Sequence, residues 1–339
     1  MPMNLLGRSS QSVSPVILGA WSWGGWYWGG ADDDASINTL HASIDAGVTT
    51  VDTAPVYGFG RSEEVLGRGL KGIRNKVQIL TKVGLRWDDE TGAHFFDTKD
   101  ADGTPYRLFR NLRPSSIRHE VEQSLQRLGV DHIDVLQCHW PDPSTPIPDT
   151  MGCLADLVRE GKVGAIGVSN FSVEEMVEAQ SVLGAIPLAS NQPKYSLLDR
   201  RVEKEVLPHC LENQVGVVVY SPMSGGILSG RVTMERTFAE SDGRSSDPLY
   251  HPENRLRVLE ALDSVRGVAD SHGVSLANLS VAWVLHQPGV TGALVGARTP
   301  SQAQENARAM SIQLTDDESQ LIQSVFAAVQ INKRPSRDS

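Results

Sequence analysis

Across 339 residues, 31 lysines and arginines face 41 aspartates and glutamates; a net charge of −10 with no basic tract before the last few positions argues against nucleic acid or an anionic membrane surface as partner. A hydrophobic fraction of 40% and a charged fraction of 21% are those of a soluble globular protein, with length for one large barrel or two ordinary domains. Three widely spaced cysteines, Cys138, Cys153 and Cys210, read as reduced thiols in a cytoplasmic setting, and the chain shows neither a signal core nor an apolar run of membrane length.

In chain order, residues 5–14, broken by Gly7-Arg8-Ser9-Ser10, predict a short hairpin ahead of the main fold. Val16-Ile17-Leu18-Gly19 is the first strand, and Ile37, Leu40 and Ile44 share a helical face that Gly47 closes. Val48-Thr49-Thr50-Val51 is β-branched and apolar, a second strand with Asp52 at its C-terminal end. Pro55, Gly58 and Gly60 make a turn, and Ser62 is placed to cap a helix whose first turn holds Glu63 and Glu64. Residues 77–82 form strand three, and 84–112, polar and dotted with aromatics, form a long loop. Pro114 suits the first turn of a helix with Ile117, Val121, Leu125 and Leu128 as its stripe. Strand four covers residues 133–136, followed by a helix with Leu154, Leu157 and Val158 that stops at Gly161; strands five and six cover 163–168 and 188–192. Residues 215–220 are almost continuously apolar, as in a parallel strand covered on both faces, and 221–252 form a second long loop. Helices over 255–271 and 275–286, strand eight at 292–295, a helix from Ser301 and a helix opened by the capping box Thr315-Asp316-Asp317-Glu318 complete the chain.

Eight strand–helix units without a break predict an α/β fold, one (β/α)8 barrel over residues 1–332 with an N-terminal β-hairpin and extra helices, and a disordered tail at 333–339. The loops after strands three and seven then open at the C-terminal mouth of the barrel, where chemistry resides in this architecture. Asp52, Tyr57, Lys82 and His139 come from three consecutive strand ends, which a barrel gathers around its axis. Alone, a strand-end lysine reads as a solvated cap and a lone histidine as a loop residue; together the four have a chemistry. A buried lysine needs an anion, and Asp52 is the obvious one. At about 4 Å and an effective dielectric of about 20, Lys82 favours the phenolate of Tyr57 by roughly 4 kcal/mol, about 3 pKa units before desolvation is subtracted. Tyr57 can then donate a proton to the alkoxide that carbonyl reduction creates, while a neutral His139 aligns the oxygen. Cys138 and His139 are adjacent, so their side chains point apart along a strand, and no second Cys/His pair has zinc spacing; no metal is expected.

The run from Asp52 to Gly67, through Ala54, Tyr57, Gly58, Ser62, Glu63 and Leu66, resembles the signature of the aldo-keto reductases. The resemblance extends over nearly the whole chain and implies a catalytic tetrad of Asp52, Tyr57, Lys82 and His139. Gly161-Lys162-Val163-Gly164-Ala165-Ile166-Gly167-Val168-Ser169-Asn170-Phe171 is similar to the strand-five motif, which implies that Ser169 and Asn170, with Gln192, bind a nicotinamide carboxamide. Tyr220-Ser221-Pro222-Met223 looks like the strand-seven motif, with Tyr220 stacked on the nicotinamide; Gly225, Gly226 and Arg231 fall in the loop that covers the pyrophosphate in relatives. Gly296-Ala297-Arg298, with Gln302, Glu305 and Asn306, matches the segment that holds the adenosine end. The chain carries no strand–GxGxxG–helix fingerprint of a Rossmann site. Gln302 stands where many members carry an arginine near the 2′-phosphate of NADPH, so Arg298 is the candidate for that role and NADH is an alternative cofactor.

Trp21, Trp140 and Trp87 are candidate pocket walls, although tryptophans at these places also read as ordinary aromatic core. Gly24-Gly25-Trp26-Tyr27-Trp28-Gly29-Gly30 and His139-Trp140-Pro141-Asp142-Pro143 look most like a bacterial branch associated with inositol and sugar metabolism. The expected activity is NADPH-dependent reduction of small carbonyls, glyceraldehyde-like or sugar-derived, by a cytoplasmic aldehyde reductase. The same residues serve polyol or alcohol oxidation. A cofactor-bound regulatory subunit is a third reading, disfavoured by the intact tetrad and by the absence of an added N-terminal domain. The sequence carries no signal for oligomeric state.

Overall fold

The computed structural model describes residues 3–332, so the tail expected to be disordered lies outside the described residues. Asn4–Leu5 (β1) and Ser12–Val13 (β2) pair antiparallel as the expected hairpin. Val16–Gly19 (β3), Asp33–Asp45 (α1), Thr50–Asp52 (β4), Arg61–Gly69 (α2) and Gln78–Val83 (β5) follow. Next come Leu85–Arg86 (β6), Ala93–Lys99 (β7), Pro105–Arg110 (β8), Pro114–Leu128 (α3), Ile133–Cys138 (β9), Ile147–Arg159 (α4), Val163–Ser169 (β10), Val173–Leu183 (α5) and Leu188–Gln192 (β11). Val206–Glu212 (α6), Gly216–Val219 (β12), Pro252–Ser264 (α7), Arg266–Ser271 (α8), Leu276–His286 (α9), Val290–Gly296 (β13), Pro300–Ala307 (α10) and Asp316–Ala327 (α11) complete the chain.

Strands β3, β4, β5 and β9 to β13 close into one barrel of parallel neighbours, with β13 returning to β3. Helices begin where the sequence supplies acceptors for their free N–H groups: Ser172 with Glu175 and Thr315 with Glu318 each form a complete capping box. Alternation along the strands splits the barrel wall. Outward residues such as Ile79, Leu136 and Ile166 join the helices in the main core. Inward residues Ile17, Leu80, Val135, Ala165, Ala189, Val218 and Leu294 form an apolar layer inside the barrel, sealed from below by Leu6 and Val13 of the hairpin region. The hairpin is therefore the floor on which the barrel interior rests.

Three expectations change. Residues 84–112 are not a structureless loop: β6, β7 and β8 form an antiparallel sheet in the order β6-β8-β7, with Leu85 opposite Arg110 and Phe96 opposite Leu108. A shift in pairing between His94 and Phe96 breaks the alternation that would mark β7 as a strand. Ser62 does not cap α2; Gly60, at φ +103°, leads into the helix, and the buried Ser62 hydroxyl bonds Ala20 O and Thr53 Oγ1, each at 2.8 Å. The helix expected over 255–271 is two helices, α7 and α8, broken at Val265.

Because Leu6 is fully buried in the barrel floor, Leu6→Ala is expected to lower the unfolding free energy by about 2–5 kcal/mol in urea titrations, with turnover per folded molecule unchanged.

Candidate active site

Above the apolar floor, the barrel interior turns polar. Asp52 ends β4, Lys82 lies one residue from the end of β5, and His139 follows β9; parallel register sets Lys82 beside Gln137 and Val83 beside Cys138. Lys82 is fully buried, and its Nζ donates to Asp52 Oδ1 at 2.6 Å, Thr53 O at 2.9 Å and Tyr57 Oη at 3.3 Å. An ammonium has three hydrogens, and these contacts use all of them. The Tyr57 oxygen therefore accepts from Lys82, which leaves its own proton free to donate elsewhere. Gly58 (φ +64°) makes this turn: a Cβ there would stand 2.2 Å from Gly24 O, so the tyrosine loop packs directly on the backbone of the loop after β3.

Burial alone would discharge Lys82, but Asp52 and the Tyr57 oxygen outweigh it and hold its pKa above the ordinary lysine value. Tyr57 behaves differently from the expectation built on the lysine alone. Burial pushes the phenol above its usual range; Lys82 pulls down, Asp52 pushes up again, and desolvation wins. Tyr57 is consequently a phenol, not a phenolate, throughout the neutral range. Burial first and Lys82 second drive His139 well below the usual imidazole value, so its ring is neutral. The rings of Tyr57 and His139 meet edge-on, 5.7 Å between centroids.

Behind this set stand Gln192, expected at the nicotinamide, and three groups to which sequence reasoning gave no role in the site: Gln137, Glu63 and Glu120. Gln137 Nε2 donates to Asp52 Oδ2 at 3.1 Å, and Gln192 Nε2 donates to the same oxygen at 2.8 Å. Gln137 lies two residues before His139, the period-2 spacing that puts it inside the barrel, and that was its only signal. On the outer side of β5, the fully buried Glu63 accepts from Thr81 Oγ1 at 2.7 Å and Arg127 Nε at 2.8 Å, which ties α2 and α3 to the strand carrying Lys82. Glu120 accepts from Gly84 N–H at 3.0 Å, at the junction of β5 with the β6–β8 sheet, and burial pushes its carboxyl up to about 8.

Of the residues expected to bind the nicotinamide, Asn170 meets the His139 backbone, Ser169 and Tyr220 meet Asn170, and the Gln192 amide is turned to Asp52. Asn170, at φ +62° in a region disfavoured for a non-glycine residue, donates to His139 O at 3.2 Å and Ser169 Oγ at 3.0 Å, and accepts from Tyr220 Oη at 3.0 Å. Ser169 Oγ donates to Gln192 O at 2.7 Å. Ser221, Ser224, Gly225 and Gly226 all have positive φ, so the chain after β12 turns repeatedly past Pro222 and Met223. Arg231, expected in the same loop, is exposed beyond that turn. The loop's internal cation is Arg244, which the sequence did not single out: it pairs with Asp242 at 2.6 Å and lies between the rings of Trp28 and Phe238. At the β13–α10 junction, Asn306 Nδ2 donates to Gly296 O at 3.1 Å, Glu305 accepts from Asn278 Nδ2 at 3.1 Å, and Gln302 accepts from the Arg298 N–H at 2.8 Å. The Arg298 guanidinium turns onto Trp28 O and Gly30 O, at 3.0 and 2.9 Å.

Of the candidate pocket walls, Trp21 lies 6.0 Å from the Tyr57 ring, Trp140 packs on Phe95 at 5.4 Å and Trp87 on Phe59 at 5.8 Å. Trp21 thus neighbours Tyr57, while Trp140 and Trp87 both belong to the aromatic cluster that packs Tyr57 against the β6–β8 sheet. The donor set fits a nicotinamide dinucleotide: amide and hydroxyl groups beside His139 suit a carboxamide, the Tyr220 ring suits a flat heterocycle, and Arg244 and Arg298 suit phosphates. The buried indole N–H of Trp28, without a partner, lies in the loop between those two arginines.

Comparison with known proteins agrees with this geometry. Residues 15–327 match the Aldo/keto reductase family. The chain is 39% identical over 293 residues to the aldo-keto reductase YhdN of Bacillus subtilis (strain 168), covering 86% of this chain and 83% of that protein. It is 36% identical over 331 residues to the NADH-specific methylglyoxal reductase of Escherichia coli (strain K12), covering 96% and 98% of the two chains. Among solved structures, the glycerol dehydrogenase of Gluconobacter oxydans superposes with a TM-score of 0.85 at 38% identity, over 99% of this chain and 98% of that one.

Glu120 gives a pH-dependent stability whose sign is fixed: its carboxyl lies at about 8 when folded against an ordinary value of 4.5, so its contribution is present below 4.5 and lost as pH rises toward 8. Glu120→Gln keeps the acceptor for Gly84 and cannot ionise. Thermal unfolding from pH 4.5 to 8 is expected to show a smaller fall in stability for this variant than for the unaltered chain.

Proposed function

The chain belongs to the aldo/keto reductase family, and we propose that it reduces small polar aldehydes and ketones to alcohols with Tyr57 as the general acid. The observation that carries this reading is the committed lysine: with all three Lys82 hydrogens donated, the Tyr57 oxygen is an acceptor on its inner side and its proton is presented outward. A bound NAD(P)H would supply the hydride. The neutral His139 donates an N–H to the carbonyl oxygen and aligns it beside Tyr57. As negative charge develops on that oxygen, Tyr57 transfers its proton, and the phenolate left behind is neutralised by Lys82, itself held by Asp52. In the oxidative direction the same groups run in reverse, with Tyr57 receiving the alcohol proton.

For substrate, the neighbourhood of Trp21, Trp140 and His139 combines apolar faces with few polar groups, suited to short hydroxy- or oxo-aldehydes such as glyceraldehyde and methylglyoxal. The names of the two similar enzymes support three-carbon compounds in both directions, one reducing methylglyoxal and the other oxidising glycerol. Polyol oxidation is therefore the second reading. Both NADPH and NADH serve as cofactor, with the balance resting on Arg298, because Gln302 offers no cation to a 2′-phosphate. All three cysteines are unpaired and buried, which supports a reducing, cytoplasmic compartment.

Tyr57→Phe is expected to lower kcat for methylglyoxal or glyceraldehyde by about 10²–10⁴-fold while fluorescence titration gives nearly unchanged dinucleotide affinity; undiminished turnover refutes the acid role. Arg298→Ala is expected to shift the ratio of kcat/KM for NADPH over NADH downward by about ten-fold, and an unchanged ratio assigns the discrimination elsewhere.

A further inference from the structure

The second oxygen of Asp52 is the least explained part of the site. Oδ1 takes the lysine; Oδ2, equally buried, takes two amide N–H groups from different strands, Gln137 on β9 and Gln192 on β11. The two amides also bond each other, Gln192 Nε2 to Gln137 Oε1 at 3.0 Å. In the closed barrel, β11 stands opposite β4, so Gln192 reaches Asp52 across the full interior, and Gln137 braces that reach from between them. The neighbouring strand β10 leaves space for this. Gln137 is in register with Gly167 on β10, and a Cβ at Gly167 would lie 3.0 Å from Gln137 Cγ and 2.6 Å from Ser190 Oγ.

We propose that Gln137 is a positioning residue for proton transfer: with Gln192 it fixes the orientation of the Asp52 carboxylate, and through it the direction in which Lys82 aims its N–H groups at Tyr57. The inference rests on the reading of Tyr57 as the acid. Its physical content is geometric. A carboxylate held at one oxygen can pivot about that contact; held at both, it cannot, and an ammonium bonded to it at 2.6 Å inherits the constraint. Gln137 touches neither of the groups expected at the carbonyl, so its effect passes through Asp52.

Two substitutions separate positioning from space-filling. Gln137→Met conserves volume and removes the donor. Gln137→Glu keeps the shape and donates only while protonated; two carboxyls in contact share one proton and titrate apart, so the clamp persists at low pH and becomes a repulsion as pH rises. Turnover is measured by NADPH and NADH oxidation with methylglyoxal and glyceraldehyde, alongside Tyr57→Phe, at temperatures below each variant's Tm. Gln137→Glu is expected to match the unaltered chain at acid pH and to lose kcat with rising pH by about ten-fold or more, a limb the unaltered chain lacks; Gln137→Met is expected to lose about ten-fold at every pH with dinucleotide Kd unchanged. Should Gln137→Glu fail to fold, Gln137→Met carries the test. A Gln137→Met protein with a lowered Tm but unchanged kcat, or a Gln137→Glu profile that superimposes on the unaltered one, overturns the proposal. An inactive Tyr57→Phe alongside such results removes this inference alone; a fully active Tyr57→Phe removes the reading of Tyr57 beneath it.

Discussion

The site depends on one buried ion pair. Lys82 and Asp52 are removed from water together, a state that is costly for each charge and tolerable only if each remaining hydrogen and lone pair finds a partner. The barrel meets that condition. Lys82 distributes its hydrogens over Asp52, the Thr53 carbonyl and Tyr57; Asp52 answers with Lys82 on one oxygen and two amides on the other. Replacing either charge by a neutral group would strand the other in a low-dielectric interior, so the pair specifies the site more than it stabilises the fold.

The barrel interior is built in two storeys because this pair needs both. Below, seven inward apolar side chains and the hairpin residues Leu6 and Val13 form a dry floor. Above it, the inward positions nearest the strand ends carry Asp52, Lys82, Gln137 and Gln192, one connected polar layer. The floor excludes water from the underside of the ion pair, and the polar layer supplies what water would have supplied. The result is a lysine kept charged and a histidine kept neutral within one site, opposite outcomes of the same burial.

Tyr57 shows why burial and charge have to be weighed together. The attraction of Lys82 for a phenolate is real, yet the dehydration of the ring outweighs it, and Asp52 cancels part of what the lysine offers. A phenol that stays protonated until the reacting oxygen gains charge fits a general acid better than a standing phenolate does. The β6–β8 sheet contributes to the same end: with Phe59, Trp87 and Phe96 it forms an aromatic cover beside the tyrosine loop, anchored to β5 where Glu120 accepts from Gly84.

Local patterns in the chain were enough to determine the strand–helix alternation, the barrel, the capping box at Thr315 and the strand-end positions of Asp52, Tyr57, Lys82 and His139. These follow from periodicity and from residues close in sequence, because a barrel strand delivers its last inward residue to the mouth wherever the strand began. The three-stranded sheet over 84–112 escaped because a pairing shift blurs its alternation, and Ser62 was misread because a glycine two places earlier had already opened the helix. Tertiary structure alone decided the rest. Gln192 meets Asp52 from 140 positions away because closure places β11 opposite β4, and the direction of the Tyr57 pKa depends on how completely the surrounding chain excludes water. Neither is written in any window of sequence, since contact across a closed barrel and desolvation are properties of the assembled whole.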